Sequence, residues 1–166
     1  MEIKSVIVDQ YGAALEMLRL AILQCPAARW DDPRGRKKFW LVAYHVLFYT
    51  HLYLHDGLAH FKPWVKHRQD IHRLGSSAEK AETGDPYSQE EMLEFLEVCR
   101  KTMVDQVSLL DLEAESGFEW LPFNKLELQL YNIRHLQHHT AELIEWLGAN
   151  AGIDVDWVGM APSAGN

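Results

Sequence analysis

The sequence predicts an all-α protein: a four-helix bundle in up-down-down-up order, with a long crossover between helices two and three. Three observations lead there. Four stretches of about 20 residues carry helical periodicity, no stretch alternates as a strand does, and one long polar connection separates the helices into two pairs. The short links join helices one to two and three to four. A long link between helices two and three lets those two run parallel.

The first helix is expected from about Ile3 to Leu23, where Val6, Leu15, Leu18 and Ile22 build one apolar stripe until Pro26 stops it. Asp31, Asp32 and Pro33 form a loop that opens the second helix, expected from about Arg36 to Leu58. That helix is apolar almost all round, so it needs cover on most sides, from the bundle or from a second copy. The segment from about Lys62 to Pro86 is polar and punctuated by Pro63, Gly75 and Gly84. A connection of this kind is a crossover or a lid, and its Trp64 and Tyr87 are candidates for a pocket wall. Ser88 and Glu91 make a capping box for a third helix running to about Glu115, before Gly117. Asn124 with Glu127 signals the start of a fourth, from about Lys125 to Leu147, with Gly148 as its stop. The domain reading is therefore a bundle over 1–148 and a tail over 149–166 that lies on the bundle or frays.

The 166 residues are ordinary for a globular domain, with 48% hydrophobic and 24% charged residues. A formal net charge of -8 disfavours nucleic acid, and the one basic run, Arg34 to Lys38, reads as a solvated helix start. Neither a leader nor a membrane span is expected, because the longest apolar stretch, Phe39 to Leu54, is interrupted by His45, Thr50 and His51. Cys25 and Cys99 are expected as buried thiols of a reduced, cytoplasmic protein.

The chemistry resides in histidines. His135 and His139 lie four apart, one helical turn, where two imidazoles can share an ion. With His135 at zero on a wheel of about 100° per residue, His139 falls at about 40°, at the buried arc, and His138 at about 300°, beside Glu142 and Tyr131. His45, in the most apolar part of the chain, is the candidate third ligand. Three imidazoles would leave an open position for water or a small thiol. His51 and His55 form a rival i, i+4 pair, and His60, His67 and His72 read as loop histidines. Spacing alone also fits core histidines bonded to Asn132, Thr140 or water. A zinc-protease motif is absent, since Leu136, Gln137 and His138 supply no glutamate between the pair. Nucleophile-elbow and phosphate-loop motifs are also lacking.

Tyr131-Asn132-Ile133-Arg134-His135-Leu136-Gln137-His138-His139-Thr140-Ala141-Glu142-Leu143 resembles the last-helix motif of the DinB-like superfamily. Ala43-Tyr44-His45-Val46-Leu47-Phe48-Tyr49 is similar to its second-helix motif. The resemblance implies an up-down-down-up bundle, often a homodimer. It implies a divalent metal, zinc or nickel, on His45, His135 and His139, with His138 non-ligating. It also implies a metal-dependent enzyme acting on small molecules, a transferase using a low-molecular-weight thiol or a hydrolase. The alternative is a non-catalytic metal-binding or stress-related dimeric module. Two departures bear on substrate class: Thr140-Ala141-Glu142 stands where many members have Arg-Gly-Gln, and Thr50 where many have an acidic residue.

Overall fold

The structure, a computed structural model, describes residues 2–32, 37–74 and 85–160. Its regular elements are all helical, apart from one isolated bridge between Glu115 and Asn124. Helix α1 spans Ile3–Gln24 and buries Ile7, Tyr11, Ala14, Leu15, Leu18, Ala21 and Ile22. Pro26 ends it by driving Cys25 into extended geometry at ψ 119. The expected loop after it contains one further turn, α2, Ala27–Trp30, whose Trp30 indole donates to the Tyr87 carbonyl at 2.6 Å.

Helix α3 spans Phe39–Tyr53, shorter at both ends than the sequence suggests; Arg36 lies outside the described residues. Every residue of α3 is buried except His45 and Tyr49, one turn apart. This explains the all-round apolarity within a single chain, because α3 packs on both of the remaining long helices. After it, Leu58–His60 forms a short 3-10 turn.

Helix α4 spans Gln89–Val107, and its capping box forms as expected, with Ser88 Oγ accepting from Glu91 N–H and Glu91 accepting from Ser88 N–H. It stops eight residues before Glu115. Residues 108–126 instead fold back on themselves: Ser116 N–H donates to Phe123 O at 2.9 Å, Lys125 N–H to Ala114 O at 2.9 Å and Leu126 N–H to Leu112 O at 3.0 Å. Leu110 is buried from this loop, so its apolar position carried no helical meaning. Helix α5 spans Lys125–Ala151, with Asn124 Oδ1 accepting from Glu127 N–H. It passes through Gly148 and ends at Gly152, whose φ of 66° suits glycine and whose N–H reaches the Gly148 and Leu147 carbonyls. The expected boundary at 148 therefore moves: residues 149–151 are helix, and Ile153 and Val155 beyond them pack on the core.

Helices α3 and α1 each pack on α4 and α5. Lys4 donates to Ser108 O, Arg100 pairs with Glu16, and Gln89 caps Ile22 O, so α1 and α4 count in opposite directions. Tyr11 reaches Gln129, and Gln137 reaches Met17. Gln129, Asn132, His135 and Trp146 meet Tyr53, Thr50, His45 and Phe39 in turn.

Part of the crossover is pinned into the core. Trp64 stacks on Phe95 at 4.6 Å and Tyr87 on Tyr44 at 4.6 Å. Both rings are buried, so they are core and not pocket wall. Cys25 and Cys99 are free and buried. Among the described residues no helix is long and apolar enough to cross a membrane.

Where α3 ends, two glycines touch. Gly117 has φ +83°, and a Cβ there would lie 2.4 Å from Asp56 O. Buried Lys125 binds the same corner, donating to Asp56 O at 2.8 Å and Ser116 O at 3.0 Å and pairing with Asp56 Oδ1 at 3.1 Å. Gly152 also has positive φ but nothing within 4 Å of a built Cβ. We expect Gly117→Ala to destabilise by about 2 kcal/mol or more, through backbone strain plus collision. Gly152→Ala should cost only about 1 kcal/mol. Denaturant unfolding of both variants side by side checks this; equal losses would show that the corner has room to relax.

Candidate metal centre

His45 stands on the one stripe of α3 that the core leaves partly open, and His135 and His139 face it from α5. His45 Nε2 lies 3.2 Å from His135 Nε2. The His139 ring sits 4.7 Å from each of the other two, centroid to centroid. One ligand nitrogen from each of the three lies within 4.8 Å of the others. Two nitrogens bound at about 2.0–2.1 Å to a tetrahedral ion stand about 3.3 Å apart, which is the His45–His135 spacing.

The other ring nitrogens fix the tautomers. His45 Nδ1 lies 2.7 Å from the His72 carbonyl, which can only accept, so Nδ1–H donates and Nε2 keeps its lone pair. His139 Nδ1–H donates likewise to Glu142 Oε2 at 2.9 Å. A carbonyl or carboxylate behind each ring is the arrangement that orients imidazole ligands. His135 Nδ1 is buried and has no partner among the described residues. The donor set fits a divalent cation.

Electrostatics agree. Burial, above all, pushes His45 down to about 3, with His139 and His135 adding to it. Burial pushes His135 down to about 4. His139 is also lowered by burial, which outweighs the opposing pull of Glu142. All three rings are therefore neutral, as ligation requires.

Beside the trio is a cavity of about 380 Å³ lined by His45, Tyr49, Tyr53, Trp120, Tyr131 and His135. Its wall is aromatic and comes from α3, α5 and the 108–124 loop, not from Trp64 and Tyr87. Trp120 donates to Tyr53 Oη at 3.4 Å.

The structure thus brings together the trio read from sequence. His138 is exposed at the edge of the site, its ring 4.9 Å from that of His139. The rival pair is packing: His51 and His55 lie edge to face at 4.7 Å, His55 Nδ1–H donates to His51 O, and among the described residues no third ligand joins them. His60 is exposed, and His67 and His72 stack on Phe48. Asn132 serves the Thr50 carbonyl and not a histidine. Sequence reasoning missed three participants. Glu142 and Tyr49 were legible at i+3 from His139 and i+4 from His45. The His72 carbonyl left no signal, because a backbone acceptor carries no residue type. No known protein family, curated protein or solved structure matches this chain.

The buried histidines set an acid limit. His45, His51, His67, His72, His135 and His139 are all lowered by burial. Each takes up its proton less readily in the fold than in the unfolded chain, where uptake begins below about pH 6.5. The unfolded state then binds more protons, so stability is full above that pH and drains as pH falls toward 4. We expect the metal-free chain to lose up to about 1.4 kcal/mol per pH unit for each such group. Urea unfolding between pH 7 and 4 reads this directly; a flat profile across that window contradicts it.

Proposed function

We propose that this chain is a divalent-metal protein of the DinB-like superfamily, holding zinc or nickel on His45, His135 and His139. On this reading it is a metal-dependent enzyme on small molecules, transferring or hydrolysing with a low-molecular-weight thiol as partner. The helix order is up-down-down-up. The direction of the contacts supports that order: α1 and α4 count oppositely, α1 and α5 together, α3 and α5 oppositely.

The observation that carries the proposal is the convergence of imidazole nitrogens within 4.8 Å, two of them with their far nitrogens committed to His72 O and Glu142. A divalent ion bound there supplies Lewis acidity. The chain's own residues do the rest. The three rings hold the ion, while the His72 carbonyl and Glu142 fix ring orientation. Tyr49, Tyr53, Trp120 and Tyr131 line the cavity beside it.

Among the described residues this cavity wall carries no lysine, carboxylate or thiol. Both cysteines are buried, with the Cys25 thiol pushed up to about 12 by burial and Cys99 raised for the same reason. Neither is a nucleophile. A nucleophile must arrive from outside, which supports a thiol co-substrate or water. The same poverty supports the second reading, a metal-binding module without catalysis; turnover of an electrophile with small thiols separates the two.

Elemental analysis of untagged protein should find about one zinc or nickel per chain, and His45→Ala should abolish it while far-UV circular dichroism stays helical. Full occupancy in purified His45→Ala would remove the ligand assignment. Glu142→Gln should weaken metal affinity about 10- to 100-fold through its hold on His139. A competition titration with a chromophoric chelator measures this, and an unchanged constant counts against the orienting role.

A further inference from the structure

The aromatic cavity beside His45 and His135 adjoins two others. A neighbouring one shares Tyr49 and Trp120 with it and is bordered by Arg73 and His72. Another shares Tyr131 and His135 and is bordered by Arg134 and His138. The three form a groove with aromatic rings in the middle and a guanidinium towards each end. Arg134 lies 5.5 Å above the Tyr131 ring.

Those two arginines stand out in a chain of net charge -8. The other described guanidiniums are used internally: Arg19 and Arg100 pair with Glu16, Arg29 with Asp32, and Arg68 binds the Asp85 carbonyl and the Tyr87 ring. Among the described residues Arg73 and Arg134 have no carboxylate partner, and both are exposed. A third cation, Lys37, lies near enough for its charge to act on both His45 and His139. Carboxylates are close as well, Glu142 on His139 and Asp70 acting on His72, but among the described residues neither pairs with Arg73 or Arg134, which leaves those two guanidiniums free to meet an anion. Aromatic walls also suit onium cations. Here a cation already covers one ring face and another borders the adjoining cavity, which opposes that ligand.

We infer that the groove binds a small aromatic carboxylate, its ring among Tyr49, Tyr53, Trp120 and Tyr131 and its carboxylate paired with one of the two guanidiniums, Arg73 or Arg134, while the other adds to the attracting field. A volume of about 380 Å³ suits a ligand of that size. Planar rings gain from edge and stacked contacts with such walls, and guanidinium binds carboxylate through paired hydrogen bonds. The inference deepens the proposed function by naming the substrate class, and it rests on that reading only in taking the histidine face as the reactive wall.

The test is binding of phenylacetate, phenylacetamide and benzyltrimethylammonium to the full chain, metal-free and zinc-loaded, by ligand-observed NMR titration. Phenylacetate should bind both forms, about tenfold or more tighter than the amide. Arg73→Gln/Arg134→Gln should lose about tenfold for phenylacetate with unchanged zinc content, and Arg73→Lys/Arg134→Lys should recover part of it. The inference is overturned if phenylacetate does not bind, if the amide binds equally, if the onium binds tighter, or if the double glutamine variant keeps full affinity. A chain that holds no zinc yet prefers the carboxylate would sink the metal reading and leave this one standing.

Discussion

The last turn of α3 is tied to α5 by side chains that bond its carbonyls, and this sets the register on which the site depends. A helix leaves its final carbonyls without intrahelical partners. Here Asn132 Nδ2 donates to Thr50 O at 3.1 Å and Gln129 Nε2 to Tyr53 O at 3.2 Å, and just past the helix Lys125 Nζ donates to Asp56 O at 2.8 Å. The donors at 125, 129 and 132 share one face of α5, and their acceptors step backwards at nearly the same interval. A one-residue slip would strand several buried polar groups at once, at about 1–3 kcal/mol each. With about 1.5 Å of rise per residue, His45 lies about 7.5 Å along from Thr50, while His135 and His139 lie about 4.5 Å and 10.5 Å along from Asn132. His45 is therefore level with the gap between the two, which is where one ion can touch all three.

The crossover contributes to the same precision from the other side. The His72 carbonyl that fixes His45 belongs to a segment without regular structure, but its own ring stacks on Phe48 at 4.1 Å. Upstream, Trp64 lies flat on Phe95, and Tyr44 bonds His67 through its hydroxyl. Aromatic packing therefore holds an irregular strand of backbone firmly enough to present one acceptor. The remaining polar demand is at the ligand nitrogens: Nε2 of His45 and of His139 keep their lone pairs, because the other nitrogen of each ring donates. Unmet polar groups of this kind favour a ligand that can satisfy them together.

Much of this was legible in the chain, and the limits have physical reasons. The Ser88 and Asn124 caps were readable because they are local chemistry, and Pro26 because it constrains its neighbour. The histidine trio was readable because imidazoles in an apolar helical face need a reason. The end of α4 was not, since Leu110 is buried by a loop that pairs with residues 123–126, a non-local event that periodicity cannot report. Gly148 misled because a glycine stops a helix only where the backbone turns left-handed, and that happens at Gly152. Trp64 and Tyr87 misled for the opposite reason: polar neighbours implied a surface segment, yet both rings fill the core between α3 and α4.

The wall of the open cavity decides what kind of chemistry the centre can support. Tyr49, Tyr53, Trp120 and Tyr131 offer ring faces and hydroxyls, with no ionised base among them. The Tyr49 and Tyr53 phenols are raised further by burial, so they remain protonated donors at neutral pH. A donor-rich, base-poor wall beside a cation on the proposed ligands would favour reactions in which negative charge grows on a substrate and is stabilised from several sides. It disfavours proton abstraction from carbon, which needs a base within hydrogen-bond reach. On the proposed function, discrimination between substrates would come from shape and rim charge, and Lewis acidity from an ion on the three histidines.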